Sequence, residues 1–119
     1  MWGWAAAATA LMFGHVAAAQ ERSPAERQEL VDLARVLGES HALSQVCSAP
    51  DDQLWRTRMQ AVLDQEAAEQ GLKTRLSIAF NDGYHSGRAL YPRCTDAARA
   101  EARKIAANGE LLSEKLAGS

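Results

Sequence analysis

Four stretches of this chain carry apolar residues at helical spacing, and the breaks between them fall at prolines, glycines and capping residues. In the first, Leu30, Leu33, Ala34 and Leu37 form a stripe that continues through His41 to Ser44, widened by Val36, Leu43 and Cys47. Ser23 can cap this helix, Pro24 has no N–H to lose at the first helical position, and Glu26 completes a capping box. Ser48-Ala49-Pro50 ends it, so the spacing predicts a helix over about 24–47. Gly38 inside the run weakens it by about 1 kcal/mol relative to alanine and marks a candidate close helix contact.

Asp51 or Asp52 is the expected cap of a second helix, whose stripe of Leu54, Trp55, Met59, Val62, Leu63 and Ala67 is the cleanest in the chain. Gly71 suits its C′ position. Arg56, Gln60, Asp64 and Gln65 fall on the opposite face and read as solvated, while Trp55 is expected in the core. The third helix is predicted from about Leu72 to Tyr91, with Leu72, Leu76, Ala79, Phe80, Gly83, Gly87 and Leu90 on one side and Pro92 beyond its end. Its two interior glycines cost about 2 kcal/mol together, which close packing against a neighbour would offset. A break at Asn81-Asp82-Gly83 is the alternative. Thr95 caps a fourth helix carrying Ala98, Ala102, Ile105, Leu112 and Leu116, with Leu111 and Leu112 docking its last turns. Asn108-Gly109 is expected to bend or split it, and Ala117 to Ser119 to fray.

Four such segments with short links predict an all-α fold: an antiparallel four-helix bundle, up-down-up-down. In that topology the first and third helices run parallel, so Cys47 and Cys94, which follow them, lie at the same end. A structural disulfide is the expected state of the pair, since neither cysteine belongs to a C-x-x-C or haem-attachment motif.

Composition narrows the function classes. The chain has 119 residues and a formal net charge of −2, with basic residues spread along its length. No clustered cationic face of the kind nucleic acid needs is visible, so a nucleic-acid partner is not expected. Residues 1–19 read as a signal peptide: the apolar run from Ala5 to Phe13 is far shorter than the ~20 residues a membrane-spanning helix needs, and Ala17-Ala18-Ala19 supplies a small-residue cleavage site. No Lys or Arg precedes the run, which is unusual for such a leader. Residues 20–119 are then a single helical domain, periplasmic after export and without a stable membrane span.

Leu37-Gly38 with His41 and Cys47, Trp55-Arg56 with Met59 and Leu63, and Phe80-Asn81, Gly83-Tyr84, Tyr91 and Cys94-Thr95 carry a resemblance. From about Leu30 to Ala106 the chain resembles a small exported two-cysteine family of unknown function described from alphaproteobacteria. The resemblance implies a periplasmic protein with a disulfide and implies no activity. His85 departs from the arginine expected after Gly-Tyr.

Candidate chemistry is sparse. His41 falls on the first apolar stripe, where a core histidine with one hydrogen-bond partner is expected and a ligand role is the alternative. His85 and Asp82 lack the second histidine, nucleophile motif or carboxylate pair that acid–base catalysis needs. An enzyme is not expected, nor is a metal site or a cofactor. On a continuous third helix Asn81, His85 and Arg88 share a face beside Tyr84 and Tyr91, combining residue types enriched at interface hot spots. This face makes the protein a non-catalytic envelope interaction or accessory module whose partner is an envelope protein or a cell-wall component. The alternative is a carrier that binds a small ligand or metal inside the bundle through His41, His85 and a tyrosine.

Overall fold

A computed structural model describes residues 22–66 and 69–118. The expected signal peptide, Ala67 and Ser119 lie outside the described residues. Four α-helices follow in order: α1 Pro24–Cys47, α2 Leu54–Glu66, α3 Gln70–Leu90 and α4 Asp96–Ala117. They form the antiparallel four-helix bundle expected from the pattern.

The capping box opens α1 as predicted: Ser23 Oγ accepts from the Glu26 N–H at 3.1 Å, and the Ser23 N–H donates to Glu26 Oε1 at 3.1 Å. Thr95 Oγ1 likewise accepts from the Ala98 N–H at 3.0 Å to open α4. Of the two expected caps of α2 it is Asp52 that serves: its Oδ1 accepts from the Leu54 N–H at 2.9 Å, and its Oδ2 accepts from the Ser44 hydroxyl at 2.5 Å, which ties the start of α2 to the end of α1. Gly71 is not a C′ residue, because α2 has ended at Glu66 and Gly71 lies in the first turn of α3. Neither proposed helix break occurs: α3 runs through Asn81-Asp82-Gly83, and α4 runs through Asn108-Gly109.

The helices are not equivalent. α1 packs against all three others, and among the described residues no Cα of α3 comes within 8 Å of one in α4. This explains a feature that a one-sided stripe does not predict. From Val36 to Leu43 every residue of α1 except Glu39 is buried, because neighbours cover it on several sides. Fully buried Leu30 and Leu43 on α1 and Leu76 on α3 each contribute roughly 1.5–3 kcal/mol of apolar transfer. By contrast, Met59 is the one buried residue of α2, and the stripe that looked cleanest is largely half-buried. Leu54 is exposed, and Trp55 packs at the edge of the core cluster, half-buried, with the Arg58 guanidinium 4.6 Å from its ring centroid. Leu90 and Leu111 are also exposed.

Along α1 and α3 the backbones almost touch. A Cβ built at Gly38 would lie 2.0 Å from the Phe80 carbonyl oxygen, and one at Gly83 would lie 2.1 Å from that of Arg35. Gly87 meets the Ala42 methyl in the same way at 2.8 Å. These glycines are therefore required by the approach of the two helices. Cys47 and Cys94 are bonded at the end of this pair, with Cα atoms 4.9 Å apart, an ordinary span for a disulfide.

α2 is held differently, mainly at its two ends. Ser44–Asp52 ties the first end, as described above. At the other, Arg22 makes a two-pronged pair with Glu66, Nε to Oε2 at 3.0 Å and Nη2 to Oε1 at 2.8 Å. The same guanidinium reaches Glu26 Oε2 at 2.9 Å and the Leu116 carbonyl at 2.8 Å, so it also secures the last turn of α4. The Arg22 pKa is raised chiefly by the Glu66 hydrogen bond.

Candidate functional site

Between its fastened ends α2 meets the core along one line, Met59 with half-buried Trp55, Val62 and Leu63, and it stands off to one side of that line, where a groove of about 450 Å3 opens among α1, α2 and α3. α1 supplies His41 and Gln45; α2 supplies Arg56, Met59, Gln60 and Leu63; α3 supplies Ser77, Phe80, Asn81, Tyr84 and His85. Their origins follow from helical spacing. His41 and Gln45 are one turn apart, as are Arg56 and Gln60, and Ser77, Asn81, Tyr84 and His85 run along one side of α3.

Tyr84 lies between the two histidines. Its ring centroid is 5.2 Å from that of His41 and 5.5 Å from that of His85, the latter pair edge-on. Phe80 packs on the other side of His41 at 5.8 Å. The Tyr84 hydroxyl donates to Gln45 Oε1 at 2.7 Å. That bond leaves a lone pair on the phenol and the amide N–H2 of Gln45 uncommitted. Gln60 donates its amide to Asp64 Oδ1 at 3.0 Å, which leaves its carbonyl oxygen.

His41 is 4 % exposed, and its Nδ1 is buried with no hydrogen-bond partner. The single partner expected for this residue is therefore not found at that nitrogen. Protonation would put a second N–H donor on the ring and leave one of the two buried without an acceptor. Consistently, burial lowers the His41 pKa, Arg56 lowers it further, and Asp52 opposes them. The Ser44 hydroxyl and the Leu54 N–H hold Asp52 below its usual value. The groove thus contains a neutral, desolvated imidazole.

Of the residues proposed from sequence, the structure brings His41, Asn81, Tyr84 and His85 to one groove and separates two others from it. Arg88 is exposed outside the groove. Tyr91 follows the end of α3 with φ −129° and ψ 73°, so helical spacing no longer relates it to Tyr84. It packs instead near Cys47 against the cluster of Val36, Leu43, Ala98 and Ile105. Arg56, Gln60 and Gln45 were not anticipated. Arg56 and Gln60 are polar positions on the face of α2 opposite its stripe, and only the stand-off of α2 shows that they border a cavity.

A second groove, also about 450 Å3, lies on the other side of α2. Leu33, Val36 and Leu37 of α1 form its floor, with Trp55 and Val62 on one wall and Ala106 and Gly109 on the other.

The arrangement defines a small helical bundle, stapled by one disulfide, with a polar groove beside its central helix. The family is shown by sequence. Residues 24–119 match the profile of a family described as "Protein of unknown function (DUF2385)", and the chain belongs to it. No curated protein and no solved structure matches the chain. Among the described residues no helix is long and apolar enough to cross a membrane, and no group of three or more His, Cys, Asp or Glu residues could hold a metal ion.

Proposed function

We propose that this protein is a non-catalytic binding module of the cell envelope, and that the groove among α1, α2 and α3 is where it binds. The observation that carries this reading is the placement of His41, Tyr84 and His85 around a single cavity, with amides from all three helices beside them. Hydrogen-bonding groups on a partly apolar floor are what orient a bound molecule. Acid–base chemistry asks for something else, a base aligned by a second group on a reacting proton. No carboxylate lines the groove to orient either histidine, and Ser77 is hydrogen-bonded to neither. The chemistry of the lining supports binding.

Export to the periplasm, with the mature chain starting near Gln20, fits the Cys47–Cys94 disulfide, since such bonds persist in oxidising compartments. The convergence of the two histidines favours one form of this reading, a carrier of a small ligand, over capture through a broad outer face. Metal carriage would require a third protein ligand beside them.

The test is capture from envelope extract by the oxidised protein and three variants, with circular dichroism to confirm folding. Tyr84→Ala and His85→Ala are expected to abolish capture, while Arg88→Ala, outside the groove, retains it. The opposite pattern would move the binding surface to the outer face of α3. Unchanged capture by all three would remove both surfaces.

A further inference from the structure

Resting on the groove as the binding site, we infer that it recognises an oxyanion, the carboxylate or phosphate of a small polar ligand, with Arg56 as its cationic anchor.

Three observations converge. The chain is acidic overall, with 15 Asp and Glu residues against 13 Lys and Arg, yet no carboxylate lines this groove. Two acids close by on the chain are committed elsewhere: Asp52 to Ser44 and the Leu54 N–H, and Asp64 to Gln60. Arg56 is exposed and, like Arg58, Arg75, Arg88, Arg93 and Arg103, has no acidic partner among the described residues, but of these it alone lines the groove.

Beside this cation stands His41, a polar side chain more than nine-tenths buried, which lines the groove and whose Nδ1 has no partner. Nδ1 is the ring nitrogen buried without a partner, so Nε2 is the one open to a ligand, and it serves as an N–H donor in the tautomer that carries its proton there. The Gln45 amide N–H2, left over from the Tyr84 bond, is a second neutral donor, and Asn81 and His85 add others at the mouth. A fork-shaped guanidinium flanked by neutral donors suits a planar carboxylate or a phosphate, because charge-assisted bonds to Arg are short and directional. A volume of about 450 Å3 admits a small molecule around that group.

The probes are alanyl-alanine, its C-terminal amide and sodium phosphate, titrated into the oxidised protein while the His41 and His85 ring protons are followed by NMR. The dipeptide acid is expected to shift both rings saturably and its amide to leave them unmoved. Arg56→Gln should weaken the acid at least tenfold, and Arg56→Lys should recover part of that loss. Phosphate that competes with the dipeptide, or acts in its place, identifies the other source of the same chemistry. Equal binding of acid and amide, no shift with any probe, or an unchanged affinity in folded Arg56→Gln overturns the inference. The binding-module reading fails separately: it stands if Tyr84→Ala still abolishes capture, whatever Arg56 does.

Discussion

The two neighbours of α1 discussed above, α3 and α2, are attached by opposite means. α3 lies closely against it, backbone to backbone at Gly38 and Gly83 and with Gly87 on the Ala42 methyl, and this joint leaves no room for a ligand. α2 is pinned at Asp52 and Glu66 and contributes one buried side chain between them. The close joint provides stability, and the spaced one provides the cavity. A cavity in so small a bundle exists because one helix gives up close packing along part of its surface.

The largest expected effect tests the close joint. Cys47 and Cys94 close a loop spanning 47 positions at the end of α1 and α3. On the chain-entropy account, reduction should lower stability by about 4 kcal/mol, read as a drop in the denaturant midpoint. An unchanged midpoint would mean that the glycine contact alone holds that end. Next comes Gly38→Ala. Its methyl would meet a backbone carbonyl rather than a flexible side chain, so the helices must separate, at a cost of about 3 kcal/mol. Gly71→Ala is the internal contrast, with nothing within 4 Å, and should stabilise by up to about 1 kcal/mol. Two substitutions of the same kind, opposite in sign, would locate the joint by thermal melts alone.

The spaced attachment should respond more mildly. Arg22→Ala removes charged hydrogen bonds to Glu66 and Glu26 and one to the Leu116 carbonyl, and should cost about 2 kcal/mol. Because Met59 is the one fully buried side chain of α2, this variant should also perturb the NMR signals of groove residues on α2 more than those of Gly83 and Gly87.

The smallest effect is the pH dependence from His41. Its folded pKa is depressed, so near the ordinary value of 6.5 the unfolded chain binds more protons than the folded one. The stability tied to neutral His41 is therefore complete above that value and is lost as pH falls through 6.5. His41→Phe should flatten the stability profile between about pH 7.5 and 5.5 relative to the parent. A parallel slope in both proteins would assign the dependence to other groups.

Much of the close joint was legible before any coordinates, because its determinants are local. Ser23-Pro24-Glu26 states a helix start, Pro50 and Pro92 state stops, and a helix with two interior glycines needs a close neighbour to offset them. The parallel course of the first and third helices followed from counting turns, and the disulfide confirms it. The groove was only half legible. Asn81, Tyr84 and His85 share a face by spacing, but His41 joins them only because of the register between α1 and α3. Arg56 and Gln60 are solvated as their positions predict, but periodicity reports which face is polar, not that this face borders a groove. The same limit made Leu54 look like core. Tyr91 was misplaced because the helical period was carried one residue past the end of the helix.

The position of α4 has a consequence for hydrogen exchange. Among the described residues its backbone comes close to that of α1 alone, while α1 is also bound to α3 by the glycine contact and the disulfide. α4, like the loosely packed α2, can therefore open without parting α1 from α3. Its amides should exchange through that partial opening, at a lower free energy than those of α1 between Val36 and Leu43, which become free only when the whole molecule unfolds. A protein of this size would then be divided between the α1–α3 pair, which opens last, and the two helices, α2 and α4, that lean on it.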